Sequence, residues 1–285
     1  MLSGSGLRCA VLGKPIAHSL SPVLHRAAYD VLGLDWRYDA VEVDEDGLAD
    51  FLSGLDDSWR GLSLTMPLKR RVMELATPSD VVDRWARLAQ AANTLVLGST
   101  RTFANTDVPG AVAALGELAS PARRALVLGG GATAGSVLLA LAETGCAQAT
   151  VLARDPARAA DAVAAAARHP AGMQVVVGRL DDVLGDRPDG LLEGVDLVVS
   201  TIPASAQSAA LVSALSGPAA VFEVVYDPWP TPLAAAALSS GRALVSGLDL
   251  LVSQAALQVQ LMTGAAQPPV AAMRAAGERA LAARG

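Results

Sequence analysis

The sequence has few of the residues that build disulfide frameworks, metal centres or aromatic clusters. Its 285 residues include two cysteines and three histidines, and 4% of them are aromatic. Cys9 and Cys146 have no CxxC partner, so we expect no disulfide framework and interpret both as small core residues. His18, His25 and His169 lack the spacing of metal ligands, and no metal site is predicted.

Positive charge is also scarce. Lysine and arginine together number 22 against 28 acidic residues, which gives a net charge of −6. No basic stripe runs through the chain, and this argues against a protein that binds nucleic acid. The first residues contain no basic region followed by a long apolar run, so we expect no secretory signal and no membrane association, but a cytoplasmic protein.

What the sequence does contain is apolar residues, at 52% of the chain, beside 18% charged residues. This composition is enough to bury a sizeable core. The longest uncharged segment, residues 125–142, has about the length that could cross a bilayer. It holds four glycines in ALVLGGGATAGSVLLALA, however, and we interpret it as a buried strand, a glycine turn and a buried helix.

The first half of the chain alternates between strand and helix patterns. Strands are predicted at residues 8–12, 36–43 and 61–65, helices at 21–32 and 47–55, and a hairpin at 94–97 and 100–104. Ser21 and Pro22 are expected at the N-cap and first position of the 21–32 helix, which Gly33 ends. Pro67 is expected to open a further helix, and Asp107 to begin another.

From residue 125 onward the pattern changes. Strands at 125–128, 149–153, 174–177 and 197–200 alternate with helices at 134–143, 156–168 and near Asp181. This βαβ series with short links predicts an α/β fold with a parallel, doubly wound sheet. Strands are also predicted at 221–225 and 243–245, and the chain from Leu248 is strongly helical. A boundary between Pro109 and Pro121 separates the two patterns.

The stretch LVLGGGATAG has the glycine spacing of a dinucleotide-binding turn. Gly129, Gly131 and Ala134 follow the G-x-G-x-x-A pattern, between an apolar strand and an apolar helix. Gly129 would permit the tight turn, Gly131 would let the backbone approach a pyrophosphate, and Ala134 would let the helix pack on the strand. The alternative is a plain tight turn between strand and helix; the strand-turn-helix context favours the dinucleotide site.

The end of the next strand indicates which dinucleotide is bound. Ala153 stands where an acidic residue would hold a ribose 2′-hydroxyl, and Arg154 and Arg158 follow it. Guanidinium groups suit a 2′-phosphate, so the pattern favours NADP. A solvated arginine pair is the alternative, and Asp155 between the two arginines leaves NAD open as a cofactor.

Several polar residues of the first half have ordinary structural explanations when each is taken alone. Ser21 and Asp107 could be helix N-caps, and Asn93 could be a C-cap. Lys69 begins a run of three basic residues where a helix is expected to start, and the helix dipole disfavours cations there. Lys69 therefore belongs either to a solvated basic face or to a site where a disfavoured ammonium gives its proton away.

Taken together, these residues resemble a known family. The stretches GKPIAHSLSPVLH, SLTMPLK, AANTL, NTDVPG, GGGATAG, VLAR, VYDPWPTPL and GLDLLVSQA occur in the order and spacing of the shikimate dehydrogenases. The resemblance covers nearly the whole chain. It implies an N-terminal α/β substrate domain at residues 1–108, a Rossmann-type NADP-binding domain at 109–246, and C-terminal helices at 247–285 that return to the first domain. The implied reaction is the reversible NADP-dependent reduction of 3-dehydroshikimate to shikimate, in aromatic amino-acid biosynthesis.

The resemblance also implies roles for individual residues. Lys69 would be the acid–base group and Asp107 its partner. The substrate would be bound by Ser19, Ser21, Thr65, Asn93, Tyr226 and Gln254, the first two holding its carboxylate. The cofactor would be bound by Gly129, Gly130, Gly131, Ala132, Thr133, Arg154, Val224 and Gly247, with Arg154 at the 2′-phosphate and the last two along the nicotinamide. A small-molecule substrate is the only partner expected, for a monomer or homodimer.

The chain departs from the family pattern at three places. The usual Asn-Val-Thr-x-Pro turn has Ser63 and Leu64 before Thr65, and Ala153 and Asp155 flank Arg154 where Asn and Thr are usual. Ala132 stands where a further glycine is common. Two alternatives therefore stay open: a quinate/shikimate dehydrogenase with relaxed substrate or NAD preference, and a nucleotide-binding module without catalysis.

Overall fold

Two six-stranded β-sheets organise the part of the chain that the structure describes. The structure is a computed structural model, and it describes residues 6–184 and 191–284. The chain divides into two units: residues 1–110 with 251–285 form the first, and residues 111–250 form the second. Each unit contains one of the sheets.

The sheet of the first unit is mixed. Its strands are β1 (Arg8–Gly13), β2 (Arg37–Glu42), β3 (Trp59–Leu64), β4 (Val81–Val82), β5 (Thr94–Val96) and β6 (Thr102–Ala104), in the order β2-β1-β3-β5-β6-β4. β1 pairs in parallel with β2 and β3, and the predicted hairpin is the antiparallel pair β5 and β6. The carboxyl ends of β1 and β3 lie side by side, with Leu12 opposite Leu64.

Five helices of the described residues accompany these strands. They are α1 (Ser21–Leu32), α2 (Leu48–Ser53), α3 (Leu68–Arg71), α4 (Arg84–Ala89) and α5 (Asp107–Leu115). Helix α1 has the predicted bounds and ends at Gly33, whose φ of 65° is left-handed. The predicted cap is wrong: Leu20 holds the N-cap position without a side-chain hydrogen bond, and Ser21 is the first helical residue.

The sheet of the second unit is parallel throughout. Its strands are β7 (Arg124–Leu128), β8 (Gln148–Ala153), β9 (Gln174–Arg179), β10 (Leu197–Ser200), β11 (Ala220–Glu223) and β12 (Ala243–Val245). Their order, β12-β11-β10-β7-β8-β9, is that of a Rossmann fold and confirms the predicted doubly wound sheet. The order reverses between β7 and β10, and ligands of such sheets bind beyond the carboxyl ends of the strands at this point.

The remaining α-helices described are α6 (Ala132–Glu143), α7 (Ala160–Ala167), α8 (Ala209–Ala214), α9 (Pro232–Ser239), α10 (Gly247–Thr263) and α11 (Val270–Ala282). The helix predicted at 156–168 is divided, because Pro156–Ala159 form a 3-10 turn that Asp155 caps by accepting from Ala157 N. The helix predicted near Asp181 is also a 3-10 turn, Leu180–Leu184. Helix α10 begins in the second unit and belongs to the first from Leu251 onward, where α11 packs against α1.

The apolar segment at 125–142 and the two cysteines are placed as predicted. The segment forms β7, the glycine turn and α6. No helix among residues 6–184 and 191–284 is long and apolar enough to span a membrane. Cys9 and Cys146 are both buried and free, and burial raises the pKa of the Cys9 thiol to about 11, as expected of an unreactive core residue.

Candidate active site

Lys69 and Asp107 form an ion pair within the first unit. Lys69 Nζ lies 2.7 Å from Asp107 Oδ2, and the two side chains are 14% and 10% exposed. The backbone around Lys69 is held by Ala92 N, which donates to the Lys69 carbonyl at 2.8 Å. Because both charges are largely shielded from water, their attraction is stronger than that of a surface pair. The ammonium and the carboxylate therefore fix each other's position.

Lys69 does not lie at the start of a helix long enough to disfavour its charge, contrary to the expectation from the sequence. Helix α3 has only four residues, so its first turn is also its last, and so short a helix provides little dipole. The charge of the Lys69 ammonium is instead balanced by the Asp107 carboxylate. Asp107 is also not occupied as a helix cap, because Asn105 Oδ1 accepts from Val108 N at 3.2 Å at the start of α5.

Asn93 joins Asp107 to the C-terminal helix α10. Its amide nitrogen Nδ2 donates to Asp107 Oδ1 at 2.8 Å and to Gln254 Oε1 at 3.2 Å. Gln254 is buried on α10 and in turn donates to the Leu251 carbonyl at 2.9 Å. The sequence-based interpretation of Asn93 as a C-cap is wrong, because α4 ends earlier at Gln90, whose φ of 50° is left-handed.

Ser19, Ser21 and Thr65 belong to the segments that follow β1 and β3. Ser19 Oγ accepts from Ser21 N at 3.3 Å, and Thr65 N donates to the Leu12 carbonyl at 2.9 Å. Because β1 and β3 are parallel neighbours, these segments and α3 leave the same edge of the sheet. Within the described residues no hydrogen bond joins the three hydroxyls to Lys69 or Asp107. Among the predicted substrate residues, Tyr226 belongs to the second unit and is half-buried after β11.

The glycine turn of the second unit has the backbone that a dinucleotide site requires. Gly129 has a φ of 102°, in the left-handed region, and a Cβ on Gly130 would lie 2.7 Å from Ala159 Cα. Gly131 has open space on its side-chain face and holds the N-cap of α6, without a side-chain hydrogen bond to the helix. The backbone N–H groups of Ala132 and Thr133 therefore begin a helix whose end is free to receive a phosphate.

Arg154 and Asp155 follow the carboxyl end of β8. Both are exposed, and Asp155 Oδ1 accepts from Ala157 N at 3.1 Å. Asp155 is the carboxylate that could accept a hydrogen bond from a ribose hydroxyl. Here it caps the following 3-10 turn instead. Val224 and Gly247 are also in contact, since a Cβ on Gly247 would lie 2.7 Å from the Val224 carbonyl carbon.

Three residues that contact Asn93 were not predicted from the sequence: Thr94, whose hydroxyl donates to Asn93 Oδ1 at 2.9 Å, Thr106 and Gln258. Thr106 N donates to Asn93 Oδ1 at 2.8 Å, and Gln258 Nε2 donates to the Asn93 carbonyl at 3.2 Å. Thr106 lies between Asn105 and Asp107 in the Asn-Thr-Asp motif. Gln258 lies four residues after Gln254, which places both on one face of a helix, and this spacing was the signal that could have found it.

Comparisons with known proteins cover the same regions. A family model described as the shikimate dehydrogenase substrate binding domain matches residues 11–95. Another, described as the shikimate 5'-dehydrogenase C-terminal domain, matches residues 247–276. A curated relative from Methanocella arvoryzae, named shikimate dehydrogenase (NADP(+)), is 35% identical over 278 residues, which is 95% of this chain and 98% of the relative.

Solved structures are similar over nearly the whole chain. The shikimate dehydrogenase of Mycobacterium tuberculosis is 38% identical with a TM-score of 0.85, and the match covers 96% of this chain and 99% of that one. The shikimate 5-dehydrogenase of Thermus thermophilus, in complex with NADP(H) and shikimate, is 31% identical with a TM-score of 0.80, covering 96% of this chain and 100% of that one.

Proposed function

The chain belongs to the shikimate dehydrogenase family, and we propose that it catalyses the reversible NADP-dependent reduction of 3-dehydroshikimate to shikimate, a step of aromatic amino-acid biosynthesis. The observation that carries the proposal is the shielded ion pair of Lys69 and Asp107. A proton donor held by a carboxylate is what the reduction of a ketone to an alcohol requires.

The proton step follows from this pair. NADPH, when bound, supplies the hydride that reduces the ketone carbon. The carbonyl oxygen then gains negative charge and must receive a proton, which Lys69 donates from Nζ. Asp107, 2.7 Å away, holds the ammonium in one orientation, and in the reverse direction Lys69 takes the proton from the hydroxyl. General acid–base catalysis of this kind contributes about 100- to 10,000-fold to a rate.

The substrate would be held by the polar residues of the first unit. Ser19 and Ser21 offer hydroxyl groups to the substrate carboxylate. Thr65, Asn93 and Gln254 offer hydroxyl and amide groups to the ring hydroxyls. The hydrogen bonds from Asn93 to Asp107 and to Gln254 support this role, because they hold both amide side chains next to the ion pair. Tyr226 completes the predicted set from the second unit.

The cofactor would be held by the second unit. The backbone from Gly129 to Thr133 suits the pyrophosphate, since α6 begins without a side-chain cap. Arg154 would bind the 2′-phosphate through its guanidinium. NADP is favoured over NAD because Asp155 is engaged with Ala157 N. Val224 and Gly247 would lie along the nicotinamide.

Two further predictions from the sequence belong to the same proposal. The protein is expected in the cytoplasm, and as a monomer or a homodimer. Size-exclusion chromatography with light scattering distinguishes the two oligomeric states.

Mixing the purified chain with NADP and shikimate, and following the absorbance of the reduced nicotinamide, tests the activity. Parallel reactions with NAD and with quinate test the relaxed alternative. Formation of NADPH with shikimate, faster than in the other three cofactor and substrate combinations, is the expected result. NADP binding without any reduction would contradict the proposal and favour the non-catalytic module, whereas faster turnover with NAD or quinate would favour the relaxed enzyme.

A further inference from the structure

A buried chain of hydrogen bonds lies behind Asn93 in the first unit. The Tyr38 hydroxyl donates to Ser63 Oγ at 2.6 Å, and Ser63 Oγ donates to Gln258 Oε1 at 2.8 Å. His25 Nε2 also lies 3.2 Å from Gln258 Oε1. All four side chains are nearly inaccessible to water, with Gln258 only 1% exposed. Buried polar groups of this kind are costly unless every one is paired, so the contacts constrain one another.

Backbone groups fix the direction of every bond in this chain. Gln258 Nε2 is 3.2 Å from the Asn93 carbonyl, which can only accept. The nitrogen of the Gln258 amide therefore faces Asn93, and its oxygen must accept from Ser63 and His25. This requires His25 to carry its proton on Nε2. Burial lowers the pKa of His25 to about 3, so the ring is neutral and has one such proton to donate.

The hydrogen bonds from Gln258 to Asn93 run in the same donor-to-acceptor order. Gln258 Nε2 also donates to Thr94 Oγ1 at 3.0 Å. The proton of the Thr94 hydroxyl is then free to go to Asn93 Oδ1, 2.9 Å away, which Thr106 N contacts as well. Because the Thr94 hydroxyl and Thr106 N both donate to Asn93 Oδ1, this side of the amide is its oxygen. The amide nitrogen must then face the carboxylate of Asp107.

We propose that Gln258 is a positioning residue for the reaction. It holds the backbone carbonyl of Asn93 and orients the Thr94 hydroxyl, so that the Asn93 amide donates to Asp107 and keeps that carboxylate in place for Lys69. The inference rests on the proposed function. It also assigns a purpose to Ser63, the departure from the family pattern: its hydroxyl accepts from Tyr38 and supplies the donor that Gln258 Oε1 needs.

A double-mutant cycle between Gln258 and Asn93 tests the proposal. Gln258→Met keeps the length of the side chain and removes its hydrogen bonds. We expect kcat to fall about 10- to 100-fold, as small displacements of catalytic groups do, while the KM for NADP is unchanged. If Gln258 acts through Asn93, Gln258→Met has no further effect on kcat in an Asn93→Ala protein. Multiplying effects in the double variant would overturn the proposal.

Further variants keep the test decisive. Gln260→Met changes the same residue type on an exposed part of α10 and is expected to leave kcat unchanged. If Gln258→Met does not fold, Thr94→Val carries the test. It removes the hydroxyl link at constant size and should lower kcat similarly, while Thr94→Ser restores it. Normal kcat in Thr94→Val would contradict the proposal. Lack of activity in the unmodified chain would instead be a failure of the proposed function itself.

Discussion

At the scale of single residues, the shielding of Lys69 is the property that matters most. The ion pair of Lys14 in the first unit differs: Lys14 pairs with Asp44 at 3.1 Å, but its side chain is 53% exposed, against 14% for Lys69. An exposed pair is screened by water and contributes little. Among the ion pairs described, the Lys69–Asp107 pair thus combines a proton donor, a fixed geometry and partial exclusion of solvent.

Replacement of Lys69 by alanine should remove most of the turnover. The expected loss in kcat is about 100- to 10,000-fold, because the alkoxide then has no positioned proton donor. The affinity for NADP, measured by fluorescence titration, should be unchanged, since the predicted cofactor residues belong to the second unit. Lys14→Ala is the matched control and should keep normal kcat. A Lys69→Ala protein with normal kcat would remove the acid–base role.

His25 gives the stability of the protein a defined dependence on pH. Its pKa is lowered to about 3 by burial, whereas the unfolded chain binds a proton below about 6.5. Between these values the unfolded state holds more protons, so the free energy of unfolding falls as pH decreases, by at most about 1.4 kcal/mol per pH unit.

His25→Gln should flatten this dependence. The glutamine amide can donate to Gln258 Oε1 but does not titrate, so the stability advantage of the unmodified protein shrinks as pH falls from 7 to 5. Urea unfolding of both proteins at pH 7 and at pH 5 measures this change in relative stability. Burial also raises the pKa of Asp83 and Glu223, but both proteins contain these groups and their contribution cancels. If the difference in the free energy of unfolding between the two proteins is the same at both pH values, His25 is not the cause of the pH dependence.

At the scale of elements, α5 and α10 approach each other at one glycine. A Cβ on Gly110 would lie 2.9 Å from Gln254 Cβ and 3.1 Å from Gln254 Cα. Backbone atoms cannot swing aside as the end of a flexible side chain can. The contact between the helix that carries Asp107 and the helix that carries Gln254 therefore depends on the absence of a side chain at residue 110.

Gly110→Ala should cost about 1–3 kcal/mol of stability, the usual range for overpacking. It should also lower kcat, because separation of the two helices moves Asp107 and Gln254 apart. Chemical denaturation and steady-state rates measure both effects. Gly217→Ala serves as control, since no atom lies within 4 Å of a Cβ there, and it should be neutral or slightly stabilising. Unchanged stability and kcat in Gly110→Ala would show that the helices can adjust.

The elements that sequence could predict are those specified by local pattern. Helix α1 was predicted with its observed bounds because its apolar period ends at a glycine that adopts the left-handed conformation. The parallel strands of the second unit were predicted from apolar runs with short links. Helices α8 and α9, of six and eight residues, were not predicted, whereas α2, also of six residues, was predicted at 47–55; elements this short contain too few periods for the pattern to decide.

The candidate site shows a similar limit. Lys69, Asp107 and Asn93 were predicted from motifs, and they lie in mutual contact through Asp107. The hydrogen bond between Gln258 and Asn93 joins two residues that are 165 positions apart in the sequence. Such a contact depends on how α10 packs against the strand β5, and no local pattern specifies it.

At the scale of the whole molecule, the proposed chemistry is divided between the two units. The ion pair and its supporting amides belong to the first unit, and the glycine turn with Arg154 belongs to the second. Helix α10 contributes proposed site residues to both units, through Gly247 before the boundary and Gln254 after it. Apart from Tyr226, which the proposal assigns to the substrate from the second unit, substitutions of the proposed site residues in one unit should therefore affect one ligand and leave the other nearly unchanged.

Arg154→Ala tests this separation. The KM for NADP should rise about 10- to 100-fold, as expected when a charge-assisted hydrogen bond to phosphate is lost. The KM for NAD should change little, because NAD has no 2′-phosphate, and the KM for shikimate should be unchanged. Arg123→Ala is the matched control, since Arg123 is exposed before the amino end of β7, away from the carboxyl ends of the strands. Equal increases for NADP and NAD would remove the phosphate role from Arg154, and an increase for shikimate would contradict the division of labour.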